Sequence, residues 1–210
     1  TGSMTVAYYI ITAKAQRDAG YHIEGLVYDL GSTGNYKSLR SAQLYVSAQA
    51  GATATDLFHV RNGTGIRNMT LNGLSGSLAL PNALGTRRPT AGAYTSLDPG
   101  FGPNDSSTWA FIRSCYIQNV TNFGNGCVGL KIDAALHNGG NKSMLANDYT
   151  QVLSDGIGVY ATGHGALTEC VSVFNYYCYT GYLAEYGARI RATNGNSSYG
   201  SYGVIACLLY

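Results

Sequence analysis

The chain has 210 residues, enough for one large domain, and only 11% of them are charged, with a formal net charge of +2. So slight a charge, with no Lys/Arg run beyond the pairs Arg87-Arg88 and Arg189/Arg191, argues against a nucleic-acid partner, and no apolar run approaches the ~18 residues of a membrane span. A hydrophobic content of 45% speaks against disorder, while 28 glycines, 18 tyrosines and four prolines point to strands joined by tight turns.

VAYYII near the start lacks the charged flank of a signal peptide. The apolar end, VIACLLY, would normally need covering, so the chain is expected to be part of a longer one. Over residues 12–50, Ala15, Ala19, His22-Ile23, Leu26-Val27 and Leu30 fall at three- and four-residue steps. After Gly31 and Gly34, with Asn35 as a cap, Tyr36, Leu39, Ala42 and Tyr45 resume that step. The pattern predicts a short two-helix N-terminal segment within 1–50, its first helix weakened by about 1 kcal/mol each at Gly20 and Gly25.

From about residue 57 the helical period gives way to short β-type runs: LFHV, RNMTL, AFI and YIQNV. The segment 77–108 interrupts them with proline, glycine, DPG and PND, and reads as a protruding loop suited to binding. Four later segments then align: CVGLKID (127–133), GIGVYAT (156–162), YTGYLAE (179–185) and SYGVIAC (201–207). Each carries a glycine followed by a hydrophobic–x–apolar pair, and the glycines are 29, 23 and 22 residues apart. A second run precedes each: YIQNVT, LANDYTQV, LTECVSVF and RIRATNG.

A repeat in the low twenties with short strands is the mark of a stacked solenoid, whose equivalent residues superpose about 4.8 Å apart. The expected fold is mainly β, a right-handed parallel β-helix of the pectate-lyase-like kind over 51–210, with the glycine opening a corner that a Cβ would obstruct. A β-sandwich, with turns about every 8–12 residues, is the competing architecture; it does not explain why the apolar pair keeps its phase against the glycine.

LFHVRNGTGIRNMTLNGLSG, RRPTAGAYTSLDPGFGPND and LHNGGNKSMLANDYTQVLSDGIGVYATGHG together resemble virion structural proteins of T4-like cyanophages, and AQRDAGYHIEGLVYDLGSTGNYKSLRSA is similar to a module of the same large proteins. The resemblance spans roughly 14–205. It implies a tail-fibre, tailspike or baseplate-like component, located in the virion after synthesis in the host cytoplasm, with possible contact to the host surface. It implies a homo-oligomer, a trimer favoured, touching other virion proteins. It carries no catalytic residues, metal or cofactor with it.

A β-helix can also act on polysaccharide, as a depolymerase or lyase, so carboxylate pairs matter. Glycoside hydrolysis needs two of them about 5–9.5 Å apart. The alignment puts Asp133, Thr162, Glu185 and Cys207 in one column, with Asp133 and Glu185 two laps apart at ~9.6 Å. Asp133, Asp155 and Glu185 are therefore the catalytic candidates, against the plainer reading of solvated corner acids; Asp148 and Glu169 lie off that column. His22, His59, His137 and His164 show no metal-ligand spacing, although His137 and His164 occupy matching turns. The five cysteines lack any CxxC and read as small buried hydrophobes.

Tyr176, Tyr177, Tyr179, Tyr186, Tyr199 and Tyr202 crowd into the last laps, whereas Tyr182 takes an inward position. Those that project form a candidate binding platform for a sugar or a protein, which is the third reading, a non-catalytic carbohydrate-binding module.

Overall fold

The computed structural model describes residues 23–24, 42–45, 55–60, 65–97, 115–136 and 144–207. Over these the protein is mainly β. The strands are β1 (Ile23–Glu24), β2 (Ala42–Tyr45), β3 (Thr55–Val60), β4 (Gly65–Leu78), β5 (Pro89–Leu97), β6 (Tyr116–Asn125), β7 (Val128–Asp133), β8 (Met144–Ser154), β9 (Ile157–Thr162), β10 (Leu167–Tyr176), β11 (Thr180–Glu185), β12 (Arg189–Thr193), β13 (Asn196–Ser198) and β14 (Tyr202–Cys207). A 3-10 turn, Ala134–Leu136, follows β7.

Successive strands do not pair with each other; alternate ones do. β4, β6, β8 and β10 form one parallel sheet, sheet A, with β12 and β13 both on β10, and β1 and β2 on β4. β3, β5, β7, β9, β11 and β14 form a second parallel sheet, sheet B. One strand of sheet A and the next of sheet B thus make a lap. The exception is a short antiparallel pairing of the end of β4 with the start of β5, Gly76 opposite Gly92.

The alignment read from the glycines is the pairing register. Leu130 pairs with Val159, Val159 with Tyr182 and Tyr182 with Val204; Asp133 pairs with Thr162, Thr162 with Glu185 and Glu185 with Cys207. Leu130, Ile132, Val159, Ala161 and Tyr182 face the large core between the sheets, joined there by Ile66, Leu71, Ile117, Tyr149, Leu153 and Val173. Each such aliphatic side chain contributes about 1.5–3 kcal/mol by leaving water. Alternate residues of the same strands, Tyr160 and Leu183, point the other way into a smaller cluster with Leu78, Tyr94, Val128 and Ile157.

The N-terminal expectation is corrected where it can be compared. Ile23–Glu24 and Ala42–Tyr45 are strands in register with β4, Ile23 opposite Ile66 and Leu44 opposite Leu71, not parts of helices. The rest of 1–50 lies outside the described residues. A three/four-residue step carried by alanines and broken by glycines is weak, and the edge of sheet A offers backbone partners that override it.

The recurring glycines also have a different cause from the one expected. None of Gly129, Gly158, Gly181 and Gly203 has a positive φ. A Cβ on Gly129 would run into the Gln151 side-chain amide, one on Gly158 into Asn175 and one on Gly181 into Ser197, each a lap further on. Asn122, Gln151, Asn175 and Ser197 are stacked in register, and the first three are fully buried. Asn122 Nδ2 donates to Tyr149 Oη at 2.7 Å and to Gln151 Oε1 at 2.9 Å, and Tyr149 Oη donates to the Gly129 carbonyl at 3.2 Å. At Gly129 and Gly158 an amide side chain, and at Gly181 the Ser197 side chain, occupies the place of a Cβ; Gly203 meets no such obstacle.

The left-handed conformation is used elsewhere. Asn68, Asn119, Asp148, Ser172 and Asn194 share φ values of 49–58° and lie in one file across sheet A, where each long strand bends. A second set, Gly126, Asp155, Tyr177 and Tyr199, with φ of 55–61°, turns the chain from sheet A toward sheet B in successive laps. Backbone bonds tie that corner together: Gly126 N to Ser154 O at 2.8 Å, Asp155 N to Tyr177 O at 3.0 Å and Tyr177 N to Ser198 O at 3.0 Å.

Candidate functional site

The link from β4 to β5 forms an arm over residues 79–88. Asn82 shapes its tip, its side-chain oxygen accepting from Leu84 N and Thr86 N while its carbonyl accepts from Gly85 N. Ala79 N donates to Arg88 O at 2.8 Å and closes the base. Two adjacent arginines in a charge-poor loop then find acids far away in sequence.

Arg87 donates to both oxygens of Asp155, at 2.8 and 2.9 Å, and its Nε donates to the Ala79 carbonyl. Its guanidinium also lies 4.9 Å from the centroid of the Tyr179 ring, and Tyr179 Oη donates to Gly85 O at 3.0 Å. Arg88 donates to both oxygens of Glu185, at 3.2 and 3.3 Å, and to Tyr186 Oη at 2.7 Å, with its guanidinium 5.2 Å from the Tyr186 ring. Thr86 Oγ1 is 3.2 Å from Cys207 Sγ. Of the segment 77–108 expected to protrude, residues 77–97 are described, and this arm lies down across β9, β11 and β14; residues 98–108 lie outside the described residues.

The three candidate carboxylates are each engaged, Asp155 and Glu185 by the arm and Asp133 by its own strand and turn. Glu185 has a fully buried side chain that also accepts from Tyr160 Oη at 2.9 Å. Its bond to Arg88 is the main cause of the raised Arg88 pKa, and burial pushes the Tyr160 phenol well above its ordinary value of 10.0. Asp133 binds Lys131 at 3.1 Å, and its Oδ1 accepts from Ala135 N at 3.0 Å, shaping the turn after β7. Asp133 and Glu185 end their strands two register steps apart, as expected. Asp155 precedes β9 at the opposite end of the strands, about 20 Å away at the usual rise per residue, so it forms no pair with either. A shallow cleft of about 250 Å³ elsewhere on sheet A is lined by Gly65, Ile66, Arg67, Tyr116 and Gln118 and by none of these acids.

The tyrosines separate into groups. Tyr177 and Tyr199 stand at the corner, 52% and 77% exposed, with rings stacked at 5.4 Å and 21°. Tyr179 and Tyr202 meet edge to face at 5.4 Å and 65° beneath the arm. Tyr186 is held by Arg88, and Tyr176 is half-buried in file with Val152. Tyr182 is buried and donates to the Val173 carbonyl at 2.8 Å.

All five cysteines are buried and unpaired by disulfides. Burial pushes the Cys127 thiol up to about 11 and those of Cys170 and Cys178 up to about 12, so they are poor nucleophiles. His164 is exposed; His22 and His137, and the side chain of His59, lie outside the described residues. Among the described residues no three His, Cys, Asp or Glu side chains gather as cation ligands. Glu169 pairs with Arg191 at 2.7 Å across neighbouring laps, and Asp148 is an exposed bend residue.

Sequence reasoning missed both the buried amide column and the reach of Arg87 and Arg88. What the arrangement does chemically is tie segments together: among the described acids, Asp155, Glu185 and Glu169 are spent on arginines of other laps, and Asp133 on Lys131 and the turn after β7. In comparison with known proteins, no family model, no curated protein and no solved structure matches this chain.

Proposed function

We propose that the protein is a non-enzymatic structural element of a phage particle, a right-handed parallel β-helix that gives a fibre or tail-associated part rigid reach. The observation that carries this reading is the in-register stacking of Leu130, Val159, Tyr182 and Val204, with the charged side chains fastening lap to lap. A column of parallel laps has few free edges along its side and resists bending. Right-handedness follows from the strong preference of parallel crossovers for that hand. The phage context rests on the sequence resemblance to cyanophage virion proteins, as do the virion location, the trimer and contact with other virion proteins.

The test is to find the chain in the particle. Antibody raised against it and carrying gold should decorate the tails of purified virions of the encoding phage, and mass spectrometry of those virions should recover its peptides. Recovery only from the infected cell, with none in the particle, overturns the reading. Release of reducing ends from host envelope polysaccharide, lost in Asp133→Asn or Glu185→Gln, would replace it with a depolymerase. A carbohydrate-binding surface is a second reading, favoured by the exposed rings of Tyr177 and Tyr199; glycan-array binding that disappears in Tyr199→Ala supports it.

A further inference from the structure

Among the described tyrosines, one pair differs from the rest in a way that bears on covalent chemistry. Tyr177 and Tyr199 occupy the same corner position of consecutive laps, each at φ 60°, and Tyr177 N donates to Ser198 O, so the backbones beneath both rings are fixed. Their rings lie 5.4 Å apart and nearly parallel. Both are open to solvent, at 52% and 77% exposure. Holding two reactive groups face to face in this way replaces a bimolecular encounter with a local one.

The other described tyrosines lack one of these properties. Tyr149, Tyr160 and Tyr182 are buried. Tyr179 is covered by the Arg87 guanidinium and its phenol is committed to Gly85 O; Tyr186 lies under Arg88. A cation over the ring opposes removal of an electron from it. Tyr202 meets Tyr179 edge-on, at 65°.

We propose that Tyr177 and Tyr199 are a dityrosine site, joined by one-electron oxidants into a covalent clip between the β10–β11 lap and the lap that ends in β14. Each phenol gives one electron to the oxidant and one proton to water. The two resulting radicals couple through the ring carbons ortho to the oxygens, and the ring protons at those carbons shift to the oxygens as aromaticity returns. The balance is two electrons and two protons lost and one carbon–carbon bond formed. The clip ties the lap of β13 and β14 to the lap before it.

The experiment uses the whole chain with a photo-excited ruthenium tris-bipyridyl complex and persulfate as oxidant. Trypsin cuts after Arg189 and Arg191, between the two tyrosines. The expected result is dityrosine fluorescence in monomeric protein, with the peptides carrying Tyr177 and Tyr199 travelling as one species two hydrogens lighter than their sum. Tyr199→Phe and, separately, Tyr177→Phe should each abolish that species while leaving the circular dichroism of the strands unchanged; Tyr179→Phe should leave its yield as in the unaltered chain. A linked species that survives Tyr199→Phe, a link that maps to Tyr179 and Tyr202, cross-links only between separate molecules, or no dityrosine at all each overturns the proposal.

Discussion

Gly158 stands opposite Asn175 of the next lap so closely that the Asn175 side-chain oxygen occupies the place of a Cβ, with the Gly181 carbonyl oxygen 2.7 Å from the same point. Gly158→Ala should therefore destabilise the protein by about 2–3 kcal/mol, the scale of overpacking in a rigid core. Removing the obstruction with Asn175→Ala in the same chain should recover part of that, the carbonyl contact keeping the recovery incomplete. Gly203 is the internal control: nothing lies within 4 Å of its Cβ position, so Gly203→Ala should shift stability by less than about 0.5 kcal/mol. Urea-unfolding midpoints decide both; equal losses at the two glycines would mean that backbone conformation, and not the amide column, selects glycine.

That contrast bears on what could be read from the sequence. The lap register was legible because the glycine and the two apolar residues after it keep a fixed phase, and phase alone places Leu130, Val159 and Tyr182 in file. The reason for the glycine was not, since its obstacle is a side chain from a run 17 residues downstream, Asn175 against Gly158. The contacts of the arm were not legible for a related cause. Arg87 and Asp155 are 68 residues apart and Arg88 and Glu185 are 97 apart, so no local pattern announces either contact. The bend residues hid in plain view, because Asn68, Asn119, Asp148 and Asn194 are common turn types in a chain full of them. Of the candidate catalytic acids, the column of Asp133 and Glu185 was legible and their cations were not.

The two arm arginines should differ in effect although they are neighbours. Arg88→Ala leaves the fully buried Glu185 carboxylate with Tyr160 alone, and should cost about 1–3 kcal/mol, less than a wholly buried pair because the Arg88 side chain is 41% exposed and water can reach the gap. Adding Glu185→Gln should restore part of the loss by removing the stranded charge. Arg87→Ala should cost no more than about 1 kcal/mol, since Asp155 is 60% exposed and readily hydrated. Chemical denaturation of the three variants checks the order; an Arg87 effect exceeding that of Arg88 would contradict the burial argument.

The bend of sheet A makes a separate prediction. Asn119 has φ 52° and its amide donates to Asn68 Oδ1 at 2.9 Å. Alanine there meets the left-handed penalty and loses the bond, and should cost about 1–2 kcal/mol. Glycine accepts the conformation freely and should cost less than alanine. The ranking Asn, then Gly, then Ala in melting temperature is the expected outcome; alanine matching glycine would show that the bend is not set by backbone conformation.

Alkaline pH should unfold the protein through its buried thiols and phenols. Burial raises Cys127 from 9.0 to about 11, Cys170 and Cys178 from 9.0 to about 12, and Tyr149 from 10.0 to about 12. Each group in the folded chain keeps its proton at pH values where the unfolded chain has already lost it, so the unfolded state binds fewer protons and stability falls as pH rises. The contribution is intact below pH 9 for the thiols and below pH 10 for Tyr149, and is lost progressively up to about 12. At about 1.4 kcal/mol per unit, Tyr149 alone accounts for roughly 2–3 kcal/mol. Melting temperature should hold level to about pH 9 and drop steeply beyond it. Cys170→Ala removes one ionising thiol and should flatten the slope between about pH 9 and 12 even if it lowers stability at neutral pH through the cavity it leaves. An unchanged slope in that variant would mean that the Cys170 thiol is not protected by burial, and the tight packing between the sheets would have to be looser than its neighbours Tyr182 and Val173 imply.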